Sequence, residues 1–74
     1  MKLGGDLMYP NLEAEMARKK ITRGQLAGKM NITPTTLGNK LNGKVDISLP
    51  ECIEIRKLLG LSMAIDELFK SDSD

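Results

Sequence analysis

Apolar residues recur along the chain at spacings of three and four, in short runs separated by polar punctuation. Leu12 and Met16 lie four apart, with Ala17 beside them, and predict a first helix from about Asn11 to Lys20. Pro10 and Asn11 mark its start. Glu13 and Glu15 sit where the helix dipole favours negative charge, and Arg18, Lys19 and Lys20 complete the opposite end. Ile21 then tucks under the turn. Thr22-Arg23-Gly24-Gln25 reads as a capping box opening a second helix, which runs to Lys29 or Met30 with Leu26, Ala27 and Met30 on its apolar stripe. Ala27 is small where a helix crossing would be closest, and Gly28 weakens the helix by about 1 kcal/mol relative to alanine.

The third run is tied to the second by Asn31-Ile32-Thr33-Pro34. Asparagine tolerates the left-handed backbone of a tight turn, and Ile32 suits the inside of a corner. Thr33 supplies an N-cap, and Pro34 needs no N–H at the first helical position. A third helix from Pro34 to about Leu41 follows, with Leu37 and Leu41 inward, ending at Asn42-Gly43. Two short helices around a tight turn are a helix-turn-helix in sequence form. Taken alone, the stretch reads equally well as an ordinary corner of a small bundle.

After a loop of Lys44, Val45, Asp46 and Ile47, Ser48-Leu49-Pro50-Glu51 forms a second capping box. The fourth helix carries Leu49, Cys52, Ile53, Ile55, Leu58 and Leu59, a wide apolar face that predicts the most buried element, and Gly60 stops it. A short fifth helix spans Ala64 to Phe69, with Ile65, Leu68 and Phe69 apolar and Asp66 and Glu67 outward. Residues 1–8 show no periodicity and read as a flexible lead, and residues 70–74 as a disordered acidic tail. The expectation is one compact all-α domain of five helices over residues 9–69, followed by no sensor or oligomerisation domain.

Composition sharpens this picture by exclusion. The chain of 74 residues suffices for one small domain, whose limited core makes dimerisation plausible. Tyr9 and Phe69 are its only aromatic residues, and it has one cysteine and no histidine. A disulfide within the chain and a Cys/His zinc site are both ruled out, and Cys52 reads as a small buried hydrophobe suited to a reducing cytoplasm. No apolar run approaches the ~18 residues of a membrane span, and the start lacks the apolar middle of a secretion signal. Without histidine, and with scattered acids, there is no general acid–base pair or catalytic triad. Neither a calcium loop nor a glycine-rich phosphate loop is present. No enzyme activity, cofactor, metal or small-molecule substrate is expected.

Net charge is only +1, but its distribution is steep. From Met16 to Val45 the chain holds Arg18, Lys19, Lys20, Arg23, Lys29, Lys40 and Lys44 and no acid, a segment charge of +7 against −6 for the remainder. The basic segment coincides with the helix-turn-helix, as a footprint for a polyanion would. The plainer reading is an unevenly charged solvated surface, with Arg18, Lys19 and Lys20 partly capping the first helix.

The features assembled so far are Thr22, Leu26-Ala27, Asn31-Ile32-Thr33, Leu37, Asn42-Gly43-Lys44 and the closing Leu59-Gly60-Leu61-Ser62 with Asp66-Glu67-Leu68-Phe69. Together, over about residues 11–69, they resemble the Cro/CI-type (XRE) helix-turn-helix family of phage repressors and their relatives. Tyr9-Pro10-Asn11-Leu12 and Lys40-Leu41-Asn42-Gly43-Lys44 are similar to a small subgroup from Gram-positive bacteria and their prophages. The resemblance implies a lambda-repressor-like five-helix fold and sequence-specific binding of double-stranded DNA by a small cytoplasmic regulator of repressor type. It implies a third helix in the major groove and a homodimer on a pseudo-palindromic operator. Carried over position by position, it places Pro34, Thr35, Thr36, Asn39 and Lys40 at base edges, and Thr22, Arg23, Thr33, Asn42 and Lys44 at phosphates.

The chemistry agrees, since asparagine can pair bidentately with adenine and a threonine methyl can pack on that of thymine. For Thr35 and Thr36 the bland reading is helix-start polarity, and for Asn39 a solvent-facing polar residue. Three departures stand out: Asn31 at a turn often held by glycine, Arg23 for a frequent glutamine, and Lys40-Leu41 for an apolar residue followed by an acid, which would rotate the base-facing set. Gly38 either permits close approach to a duplex or is neutral. Ile65, Leu68 and Phe69 are the candidate dimer surface, or else simply close the core. The rival from another class is an antirepressor- or adaptor-like protein-interaction module that keeps the fold without reading DNA.

Overall fold

The computed structural model describes residues 8–71, which form five helices in the order α1 (Pro10–Lys19), α2 (Arg23–Met30), α3 (Pro34–Leu41), α4 (Leu49–Leu59) and α5 (Ile65–Leu68). Local chemistry sets the boundaries. Both expected capping boxes form: the Thr22 and Ser48 hydroxyls accept from the Gln25 and Glu51 backbone N–H groups, and the Gln25 and Glu51 side chains accept from the Thr22 and Ser48 backbones. Thr33 caps α3 through the Thr36 N–H at 3.1 Å. At the C-termini, Lys20, Asn31 and Gly60 take the left-handed conformation, which turns the chain and returns its N–H to the last helical carbonyls. Asn31, with φ 62°, thus does what glycine does at such turns.

The core is a single cluster of Leu12, Met16, Leu26, Ala27, Met30, Leu37, Leu41, Ile55, Leu59 and Leu68, with Ile21, Ile32, Tyr9 and Phe69 packed against its rim. Ala27 is fully buried, so α2 approaches its neighbours closely. Helix α4 packs on α1, α2 and α5, whereas among the described helices the backbone of α3 comes close to that of α2 alone. The third helix is therefore the outermost arm of the fold. Leu37 and Leu41 press its inner side into the core and leave the opposite side to solvent.

Several sequence expectations are corrected. The wide apolar face expected to make α4 the most buried element is divided: Cys52, Ile55 and Leu59 face the core, while Leu49 (61% exposed) and Ile53 (40% exposed) point outward. Periodicity marks apolar positions but does not say which of two adjoining stripes finds a neighbour. Ala17 is exposed rather than beside the core. The fifth helix is shorter than expected, with Ala64 as its N-cap and Phe69 as its C-cap. Burial, with the nearby Glu51 charge, raises the Cys52 thiol pKa, which keeps it a protonated hydrophobe. The expected flexible lead over residues 1–8 and tail over 70–74 fall outside the described residues except at Met8, Lys70 and Ser71. Met8 packs against Gly43, whose φ of 83° would strain any side chain there, and its sulfur accepts from the Ser71 hydroxyl.

Candidate nucleic-acid interface

On α3, a helical period carries Thr35, Thr36 and Asn39 to the side opposite Leu37 and Leu41. Pro34, Thr35 and Thr36 are exposed and Asn39 half-buried. Among the described residues the Asn39 side-chain amide makes no hydrogen bond, so its donor and acceptor are both free for a partner. The Thr33 hydroxyl accepts from the Thr36 N–H and donates to the Thr36 hydroxyl at 2.9 Å. Thr35, Thr36 and Asn39 of the expected base-edge group thus share one face of α3, with Pro34 exposed at its first position.

Lys40 turns to the flank. Its ammonium sits 3.1 Å from the Glu51 carboxylate with its side chain 15% exposed, so it ties the end of α3 to the start of α4. The Ser48 backbone N–H, then Lys40 and the Ser48 hydroxyl, hold the Glu51 carboxyl below the usual carboxylate range.

The opposite flank of α3 carries Gly38, and above it lies Arg23 from the start of α2. The Arg23 guanidinium donates to Glu13 at 2.7 Å and to Asn42 at 3.2 Å, joining α1, α2 and the end of α3. Arg23 and Asn42, both expected at phosphates, are therefore brought together in the fold. A Cβ at Gly38 would lie an ordinary 3.7 Å from the Arg23 guanidinium. Lys44 follows on a loop whose backbone folds onto the Asn39 carbonyl through the Lys44 and Val45 N–H groups. Thr22, with its oxygen accepting from Gln25, keeps a hydroxyl proton to donate at the α2 N-terminus.

Sequence reasoning missed the two clamps. The basic zone is free of acids along the chain but not in space: Glu13 reaches Arg23, Glu51 reaches Lys40, and Glu15 pairs with Arg18 at the end of α1. Lys19, Lys20, Lys29 and Lys44 remain without an ion-pair partner among the described residues. The i,i+3 spacing of Glu15 and Arg18 offered a local signal. Glu13 and Arg23, ten positions apart on different helices, offered none.

Of the candidate dimer surface, Leu68 is fully buried in the core, Phe69 packs edge-on against Tyr9 at 5.4 Å between ring centroids, and Ile65 is half-buried. Leu68 and Phe69 thus help to close the fold. Among the described residues no cluster of three or more histidine, cysteine or acidic side chains is placed to hold a metal, and no helix is long and apolar enough to cross a membrane.

Comparison with known proteins adds one finding. A family model described as helix-turn-helix matches residues 12–65, from the first core leucine of α1 to the opening of α5. No curated protein and no solved structure matches the chain.

Proposed function

Because the chain belongs to the XRE (Cro/CI-type) helix-turn-helix family of DNA-binding regulators and has its five-helix lambda-repressor-like fold, we propose that it acts as a repressor of phage type that reads the major groove with α3. The observation that carries the reading is the outer face of α3. Thr35, Thr36 and the unpartnered Asn39 amide lie together there, on a helix pushed to the edge of the molecule.

In this reading Pro34, Thr35, Thr36 and Asn39 meet base edges. Arg23, Asn42, Lys44, Thr22 and Thr33 meet phosphates, with the α2 N-terminus adding its free N–H groups. Lys40, bound to Glu51, fixes the end of α3 instead of reading a base. The active species is a homodimer on a pseudo-palindromic operator, half-sites about 34 Å apart, in a bacterial cytoplasm.

A titration against duplex DNA at two salt concentrations tests this. Affinity falls steeply as salt rises, because phosphate neutralisation releases counterions. Asn39→Ala relaxes sequence preference, whereas Arg23→Ala weakens binding to all sequences alike and lowers the salt slope by about one. Absence of binding at low salt refutes the proposal and leaves the protein-interaction module, which the internal pairing of Arg18, Arg23 and Lys40 favours.

A further inference from the structure

Helix α4 turns two stripes in different directions. Cys52, Ile55 and Leu59 enter the core, and Pro50, Ile53, Glu54, Lys57 and Leu58 line a shallow groove on the outer side, the half-buried Leu58 also touching the core. Leu49, one turn before Ile53, lengthens the apolar part, and these two are among the most exposed large hydrophobic residues of the molecule. Neither Glu54 nor Lys57 has an ion-pair partner among the described residues, although the other glutamates of α1 and α4 are all engaged.

We infer that this face of α4 is the homodimer surface and that its occupant is α4 of a second copy, running antiparallel. The charge pattern selects that occupant. The face carries one positive and one negative side chain, so a uniformly acidic or basic partner would meet a like charge. A two-fold axis crossing α4 between Ile55 and Arg56 brings Glu54 of each copy against Lys57 of the other, and Ile53 against Leu58. The arrangement is isologous, as a closed symmetric dimer requires, with the two charge pairs nearest the axis and an Ile53–Leu58 apolar contact flanking them on each side. Because one helix pair buries less than about 1,200 Å² in total, association is weak in free solution and is reinforced when two copies share one operator. The inference rests on the dimer of the proposed function only in naming where the copies meet. It replaces the α5 surface, whose Leu68 is buried.

Sedimentation equilibrium without DNA tests it. The wild-type chain shows a concentration-dependent monomer–dimer equilibrium. Ile53→Glu, at an exposed position, melts like wild type at concentrations where both are monomeric and lowers the association constant by about tenfold or more. Glu54→Lys and Lys57→Glu each weaken self-association, and the two variants mixed together pair better than either alone. A wild-type chain that stays monomeric, an Ile53→Glu chain that dimerises like wild type, or a mixture no tighter than its components overturns the inference and gives the face to another occupant. Binding to a single half-site duplex is unchanged by Ile53→Glu. If the self-association pattern holds while no chain binds DNA, the dimer face stands and the DNA-reading proposal falls.

Discussion

Arg23 shows what a single residue does when it stands where three helices meet. Its guanidinium grips Glu13 and Asn42 through different nitrogens, which a lysine ammonium on a flexible stem cannot reproduce. The residue type and the basic zone were legible along the chain, but the acid that restrains it was not, because nothing local links α1 to the start of α2. Asn31 is the opposite case: a left-handed turn that only a few residue types tolerate is written in the sequence itself. Gly28 makes a prediction at this scale. It is exposed near the end of α2, and a Cβ there meets nothing within 4 Å. Gly28→Ala therefore stabilises the protein by roughly 0.5–1 kcal/mol through reduced backbone entropy, read as a higher urea midpoint at unchanged slope.

Helix boundaries were legible because caps are local chemistry. Thr22, Thr33 and Ser48 each place a hydroxyl three residues before the N–H they satisfy, and the structure starts α2, α3 and α4 immediately after them. Which stripe of α4 would be buried was not legible, since that depends on helices that arrive from elsewhere in the chain. The Glu51 carboxylate joins two elements by capping α4 and binding Lys40 of α3. Its pKa is lower in the folded chain than its ordinary 4.5, so it stabilises the fold fully above that value. This contribution is lost as pH falls through the depressed folded value. Glu51→Gln is accordingly less stable than wild type near neutrality, and in urea titrations the gap narrows as pH falls below 4.5 toward the depressed folded value.

Across the whole molecule, one small cluster of leucines, isoleucine and methionines holds five short helices, and it leaves no slack for losing a member. Leu68, contributed by the four-residue α5, is as fully buried as Leu12 or Leu37. Leu68→Ala costs about 2–5 kcal/mol, seen as a fall in thermal midpoint independent of protein concentration. A dimer-surface role would instead make the loss concentration-dependent. The charge asymmetry was legible as a sum along the chain, but its effective strength was not, because Glu13, Glu15 and Glu51 reach into it from outside the basic segment. The α3 patch was legible because an i,i+4 pair of leucines fixes one side of a helix and thereby the other.

The division of labour on α3 has a consequence for how such a protein changes over generations. The side chains that anchor the helix are Leu37, Leu41, Lys40 and Thr33, and those that look outward, Pro34, Thr35 and Asn39, make no side-chain hydrogen bond within the described fold. Substitutions at Thr35 and Asn39 are therefore nearly free of a folding penalty. Under the proposed DNA-reading role, a lineage can drift from one target to another by altering two or three outward letters while the scaffold beneath them stays the same.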